Sequence, residues 1–202
     1  MTVIECVSPS GLSVPPSFVL LSGPIPSFPN LFSEIAAIAT SPNGWTNNEI
    51  STAWVLEMFI PFANSYKVTD APIVLLDGHN SHELDTFCEA AFQHNIIVIT
   101  FPSKCTHKLQ PLNIIIFAHT QCHWSSHCDN CIIHHVKIDY YNIIQEYMEV
   151  CPWSMTPKLL HSVFSTTSIF LFNDTFFTNN DFAPAKSFSH TMHVPKSFPT
   201  KV

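Results

Sequence analysis

The sequence predicts an α/β fold. Three observations carry that reading. Two short apolar runs, Pro72–Leu76 and Asn95–Phe101, are each four to eight residues long and bounded by turn-forming residues, which is the pattern of buried strands. Between them, Glu83 to His94 has the periodicity of a helix. The first run ends on Asp77 beside the turn Gly78-His79-Asn80, and an acid at the end of a buried strand is where α/β proteins often place catalytic or metal-binding groups.

The elements follow in order. Thr2–Cys6 alternates, is rich in β-formers and reads as a strand. Ser8–Gly11 is a turn, and Ser17–Leu21 reads as a second strand, the two forming a hairpin-like pair joined through Val14-Pro15-Pro16. Gly23 to Ile38 is weakly specified, and Thr40–Trp45 is a turn cluster. Thr46 and Glu49 have the spacing of a capping box, opening a helix to about Phe62. Ile50, Ala53, Trp54, Leu56, Met58 and Phe59 form its apolar face, with Trp45 and Trp54 expected as core anchors.

After the second apolar run comes a polar loop, Pro102 to Gln110. An apolar helix then runs from Asn113, as N-cap, toward Thr120. Gln121 to His135 gathers Cys122, His123, His127, Cys128, Cys131, His134 and His135 within fifteen residues. Cys128-x2-Cys131 followed by His134 has the form of half a zinc site, without a second ligand pair. The alternative is a plain helix that happens to be rich in these residues. Lys137–Val150 reads as an amphipathic helix with Ile138, Tyr141, Ile144 and Met148 on one stripe. Thr156 caps a last helix, with Pro157 at its first position, running to about Ser165. From Thr178 the chain is polar and Pro-rich and reads as a poorly ordered tail.

The stretches Leu75–His82 (LLDGHNSH) and Phe101–Asn113 (FPSKCTHKLQPLN) resemble the core of the pogo-like transposases. These belong to the mariner-type group, with a DDE superfamily endonuclease domain. The resemblance implies a ribonuclease H-like mixed sheet flanked by helices, with a helical C-terminal extension. It divides the chain into a partial endonuclease domain over residues 1–135, the extension over 136–177 and the tail over 178–202. Asp77 then stands at the second acid of the catalytic triad. Asn113, with thirty-five residues between it and Asp77, stands at the third, where the family carries Asp. The strand Thr2–Cys6 matches one that follows the strand of the first acid, so the domain is expected to lack its first strand. An exposed sheet edge would result. Glu5 is the one nearby carboxylate that could stand in. Thr167–Asn173 resembles the family's closing turn, with Ser168 and Leu171 where Gly and Pro usually sit.

The family cuts and joins phosphodiesters with two Mg2+ ions, about 3.5–4 Å apart, that clamp the attacking and leaving oxygens. Mg2+ takes hard oxygen ligands, chiefly carboxylates. With Asp77 as the only secure acid, the metal pair is expected to be lost, or reduced to weak single-ion binding at Asp77, and strand transfer with it. His79, His82 and His107 flank the expected site, as phosphate contacts or as turn-holding residues; Lys104 and Lys108 are the best phosphate contacts, or else lie in a solvated loop.

Composition limits the partners. The 202 residues carry 8 Lys plus Arg against 15 Asp plus Glu, a net charge of −7. DNA affinity comes mostly from cations neutralising phosphates, so DNA is expected as a weak partner. Apolar residues make up 46% and charged residues 11%, which leaves room for a protein-binding patch. No apolar run reaches the roughly 18–20 residues of a membrane span. Seven cysteines at irregular spacing and no signal-like N-terminus point to an intracellular setting, and the resemblance implies the nucleus. The expected function is thus an inactive transposase-derived domain. The alternatives are a protein-interaction module, a zinc-binding module around Cys128 and Cys131, and an active nuclease using Glu83, Asp85 or Glu5.

Overall fold

The structure is a computed structural model and describes residues 1–31, 33–66, 72–76, 85–101, 105–178 and 181. It is α/β, with two small sheets and helices packed around them. Strands β1 (Thr2–Val7) and β2 (Ser13–Leu21) pair antiparallel, and β2 pairs parallel with β3 (Ala37–Ser41). Strands β4 (Ile73–Leu76) and β5 (Ile97–Thr100) form a separate parallel pair. Among the described residues each of β1 and β4 has one partner strand, so each presents an open edge. Among the described residues the strands of the expected mixed sheet fall into these two sheets.

The β1–β2 turn closes with Ser8 N–H donating to Leu12 O (2.8 Å) and Gly11 N–H to Ser8 O (3.1 Å). Gly11 has φ +84°, and a Cβ there would lie 2.9 Å from Pro157 Cβ, so only glycine fits. Strand β2 begins four residues earlier than expected and takes in Pro15 and Pro16. The two prolines lie between partners Val14 and Ser17, opposite Glu5, where the register shifts. A bulge accepts them because Pro has no N–H for a ladder. Strand β3 begins in the weakly specified stretch and ends inside the expected turn cluster.

Period-two alternation sends β1 and β2 side chains to two cores. Ile4, Cys6 and Val14 join Trp54, Val55, Val74, Phe87 and Ile96 on one face. Phe18 and Leu20 pack with Ile144 and Met148 on the other. A third cluster holds Ile116, Leu160 and Val163.

Helix α1 (Asn48–Trp54) starts at Asn47, whose Oδ1 accepts from Ile50 N–H at 2.9 Å. The cap is thus one residue after the expected Thr46. A π-type turn, Val55–Phe59, leads into α2 (Ile60–Ser65). The wide turn relieves the clash that Pro61 would cause in a regular helix. Trp54 is buried as expected. Trp45 is 67% exposed and Leu56 39%, which corrects the reading of Trp45 as an anchor and of Leu56 as part of the buried face.

Helix α3 (Asp85–Gln93) lies between β4 and β5, within the expected strand–helix–strand unit. A short helix α4 (Thr106–Leu109) occupies part of the expected polar loop. A π-type turn, Leu112–Ile116, continues directly into α5 (Phe117–Ile133). Helix α6 spans Ile143–Ser154, not Lys137–Val150. Asn142 Oδ1 accepts from Asp139 N–H at 2.7 Å, and Asp139 Oδ1 from Tyr141 N–H at 2.9 Å, which holds a turn ahead of the helix. Ile144 and Met148 are buried from the expected stripe, while Tyr141 is exposed. Helix α7 (Pro157–Thr166) has the expected cap, with Thr156 Oγ1 accepting from Leu159 N–H.

Candidate functional site

Open edges β1 and β4 line the same cavity of about 910 Å3, along with Trp54, Phe59, Phe87 and Phe117. Its walls are mostly aliphatic and aromatic. Trp54 Nε1 and Glu5 Oε2, both from lining residues, are buried with no hydrogen-bond partner among the described residues.

Glu5 reaches α6, where its Oε1 accepts from the Tyr147 hydroxyl. Burial pushes its carboxyl above the ordinary range, against the smaller opposing effect of the Tyr147 hydrogen bond. The neighbouring Cys151 thiol is pushed up to about 12 by burial and then by Glu5. A buried carboxyl that already accepts from a phenol is a poor ligand for a hard cation.

Of the sequence-derived site residues, Asp77, His79, His82 and Lys104 lie outside the described residues, as does Glu83. Asn113 is exposed inside the π-type turn rather than capping the helix. Its Nδ2 donates to Gln110 Oε1. His107 is exposed on α4. Lys108 is not a free cation: its Nζ lies 3.0 Å from Asp181 Oδ1. The Asp181 carboxyl is held down to about 2 by Thr178 N–H, by Lys108 and by the Thr178 hydroxyl. Asp181 lies in the segment expected to be a disordered tail; most of that segment is outside the described residues. Among the described residues, Asn113 offers a hard cation only a neutral amide and Glu5 a buried carboxyl.

The Cys/His-rich segment forms α5, but not as its spacing suggests. His134 turns back, its Nδ1–H donating to Asn130 O at 2.8 Å, and Cys122 is exposed. Instead His127 and Cys131, one helical turn apart, converge with Glu146 from the first turn of α6. His127 Nε2 lies 2.7 Å from Glu146 Oε2, and Cys131 Sγ lies 3.5 Å and 3.7 Å from those two atoms. Cys131 is buried, and the other two side chains are 21% and 14% exposed. Glu146 was missed because nothing in its local sequence marks it; only the packing of α5 on α6 brings it in.

A family model described as DDE superfamily endonuclease matches residues 1–148. A protein from Cochliobolus lunatus described as "MFS-type transporter clz9" is 32% identical over 140 residues, which is 68% of this chain. The match spans about 15% of that relative's length. No helix among the described residues is long and apolar enough to cross a membrane. No solved structure matches.

Proposed function

The chain belongs to the DDE superfamily endonucleases, and from that premise we propose that it is a transposase-derived domain that still faces nucleic acid but does not cut it. The observation that carries this reading is Asn113. At the position of the third acid stands an amide, turned to a hydrogen bond with Gln110. Replacing a carboxylate by an amide beside a dication removes several kcal/mol of attraction, even at an effective dielectric of about 20. The pogo-like assignment, the ribonuclease H-like topology, weak DNA binding and a nuclear location belong to the same reading.

A supercoiled plasmid incubated with the chain and Mg2+ or Mn2+ tests it. The expected result is no nicking, with DNA retention that weakens steeply as salt rises. Magnesium-dependent nicking that disappears in Asp77→Ala overturns it.

The cavity between β1 and β4 favours a second reading, a protein-interaction module. Its occupant is an extended segment with apolar side chains, adding as a strand to one or both open edges. Hydrogen exchange with a short Val/Thr-alternating peptide as probe tests this. Protection over Thr2–Val7 or Ile73–Leu76 supports it, and unchanged exchange at both edges refutes it.

A further inference from the structure

We propose that His127, Cys131 and Glu146 form a binding site for a zinc-type divalent ion that clips α5 to α6. Zinc takes imidazole nitrogen, thiolate sulfur and carboxylate oxygen, and this cluster supplies one of each. With bond lengths of about 2.0–2.3 Å, a tetrahedral ion separates such ligand atoms by about 3.3–3.6 Å. The Sγ–Nε2 separation, 3.5 Å, already has that size, and the Sγ–Oε2 separation, 3.7 Å, lies just above it. The Nε2–Oε2 separation, 2.7 Å, is that of a hydrogen bond and opens by roughly half an ångström when an ion replaces the proton.

The site is pre-formed in other respects. His127 and Cys131 are held on one face of a 17-residue helix, and Glu146 is fixed to the facing helix. Trp124 packs against both His127 and Tyr147, with ring centroids 6.1 Å and 6.4 Å away, which shields one side. One thiolate and one carboxylate neutralise a dication, so the loaded site carries no net charge in its half-buried setting. Binding releases the Cys131 thiol proton to water and leaves the His127 ring proton on Nδ1. A fourth coordination position stays open to water. Magnesium is excluded by the sulfur and nitrogen donors.

The site differs from one centred on Cys128 and Cys131, and the test separates them. Metal-stripped full-length chain is titrated with Co2+, then with Zn2+. The expected result is one cobalt per chain, a thiolate-to-cobalt charge-transfer band and its loss on adding zinc. Cys131→Ser abolishes the band, Glu146→Gln weakens cobalt binding at least tenfold and Cys128→Ser leaves it unchanged. Circular dichroism of each variant checks folding, and His127→Gln replaces Cys131→Ser should the latter lose its helix content. Absence of the band in folded wild-type protein overturns the proposal, as does a band that Cys128→Ser removes and Glu146→Gln does not affect. Thermal stabilisation by Zn2+ but not by Mg2+ is the supporting second readout; equal response to both ions counts against it.

Discussion

Glu5→Gln is the sharpest probe of the chain's electrostatics. Glu5 Oε1 accepts from the Tyr147 hydroxyl, while Oε2 is buried with no partner. Burial therefore raises the folded-state carboxyl above 4.5, the value expected of the free side chain. A raised pKa means that the folded chain holds the proton more tightly than the unfolded chain. Its stabilising contribution is complete below about 4.5 and is lost as pH rises through the folded value. One proton gives a slope of at most about 1.4 kcal/mol per pH unit. For a chain of this length that corresponds to about 3–6 °C in Tm per pH unit. Gln keeps an acceptor for Tyr147 and cannot ionise. Thermal unfolding of both proteins from about pH 4 to about pH 7 gives the difference profile. The wild type falls relative to the variant as pH rises. Parallel profiles across that window refute the assignment of a buried Glu5 whose carboxyl is raised above its ordinary value.

Leu160→Ala empties a fully buried position beside Ile116 and Val163 and costs about 2–5 kcal/mol, read by denaturant unfolding. Ser168 has φ +54°, so Ser168→Gly relieves about 1–2 kcal/mol of left-handed strain, less about 0.5–1 kcal/mol of added freedom in the unfolded chain. The net gain is up to about 1.5 kcal/mol in the same assay, and Ser168→Ala shows none. Asp181→Asn frees the Lys108 ammonium; in filter retention of DNA the salt slope steepens by about one.

The strand–helix–strand unit from Ile73 to Thr100 was legible because its apolar runs are short and flanked by Pro, Gly and Asn. Helix α7 was legible from Thr156-Pro157, a cap and a first-turn proline that need no tertiary partner. Strand β3 was not: apart from Ile38, Ala37–Ser41 is built of small residues, and its pairing with β2 does more than local propensity to make it a strand. The start of α6 was misplaced because an apolar periodicity continues by chance into Lys137–Tyr141. There, Asp139 and Asn142 bind nearby backbone groups instead. Trp45 was misassigned because an aromatic in a turn cluster gives no sign of which way it faces. At the candidate site, Glu5's engagement with Tyr147 depends on a contact across 142 positions that no local pattern encodes.

The paired prolines of β2 also limit how this sheet can misassemble. Sliding β2 by one position against β1 would carry Pro15 or Pro16 into a rung that requires an N–H, and would exchange the faces that Phe18 and Leu20 present. Both errors oppose the same slip, so the alignment of β2 against β1 is guarded by two adjacent residues with no N–H to donate, while Pro16 O still accepts from Ala36 N–H at 2.9 Å ahead of β3.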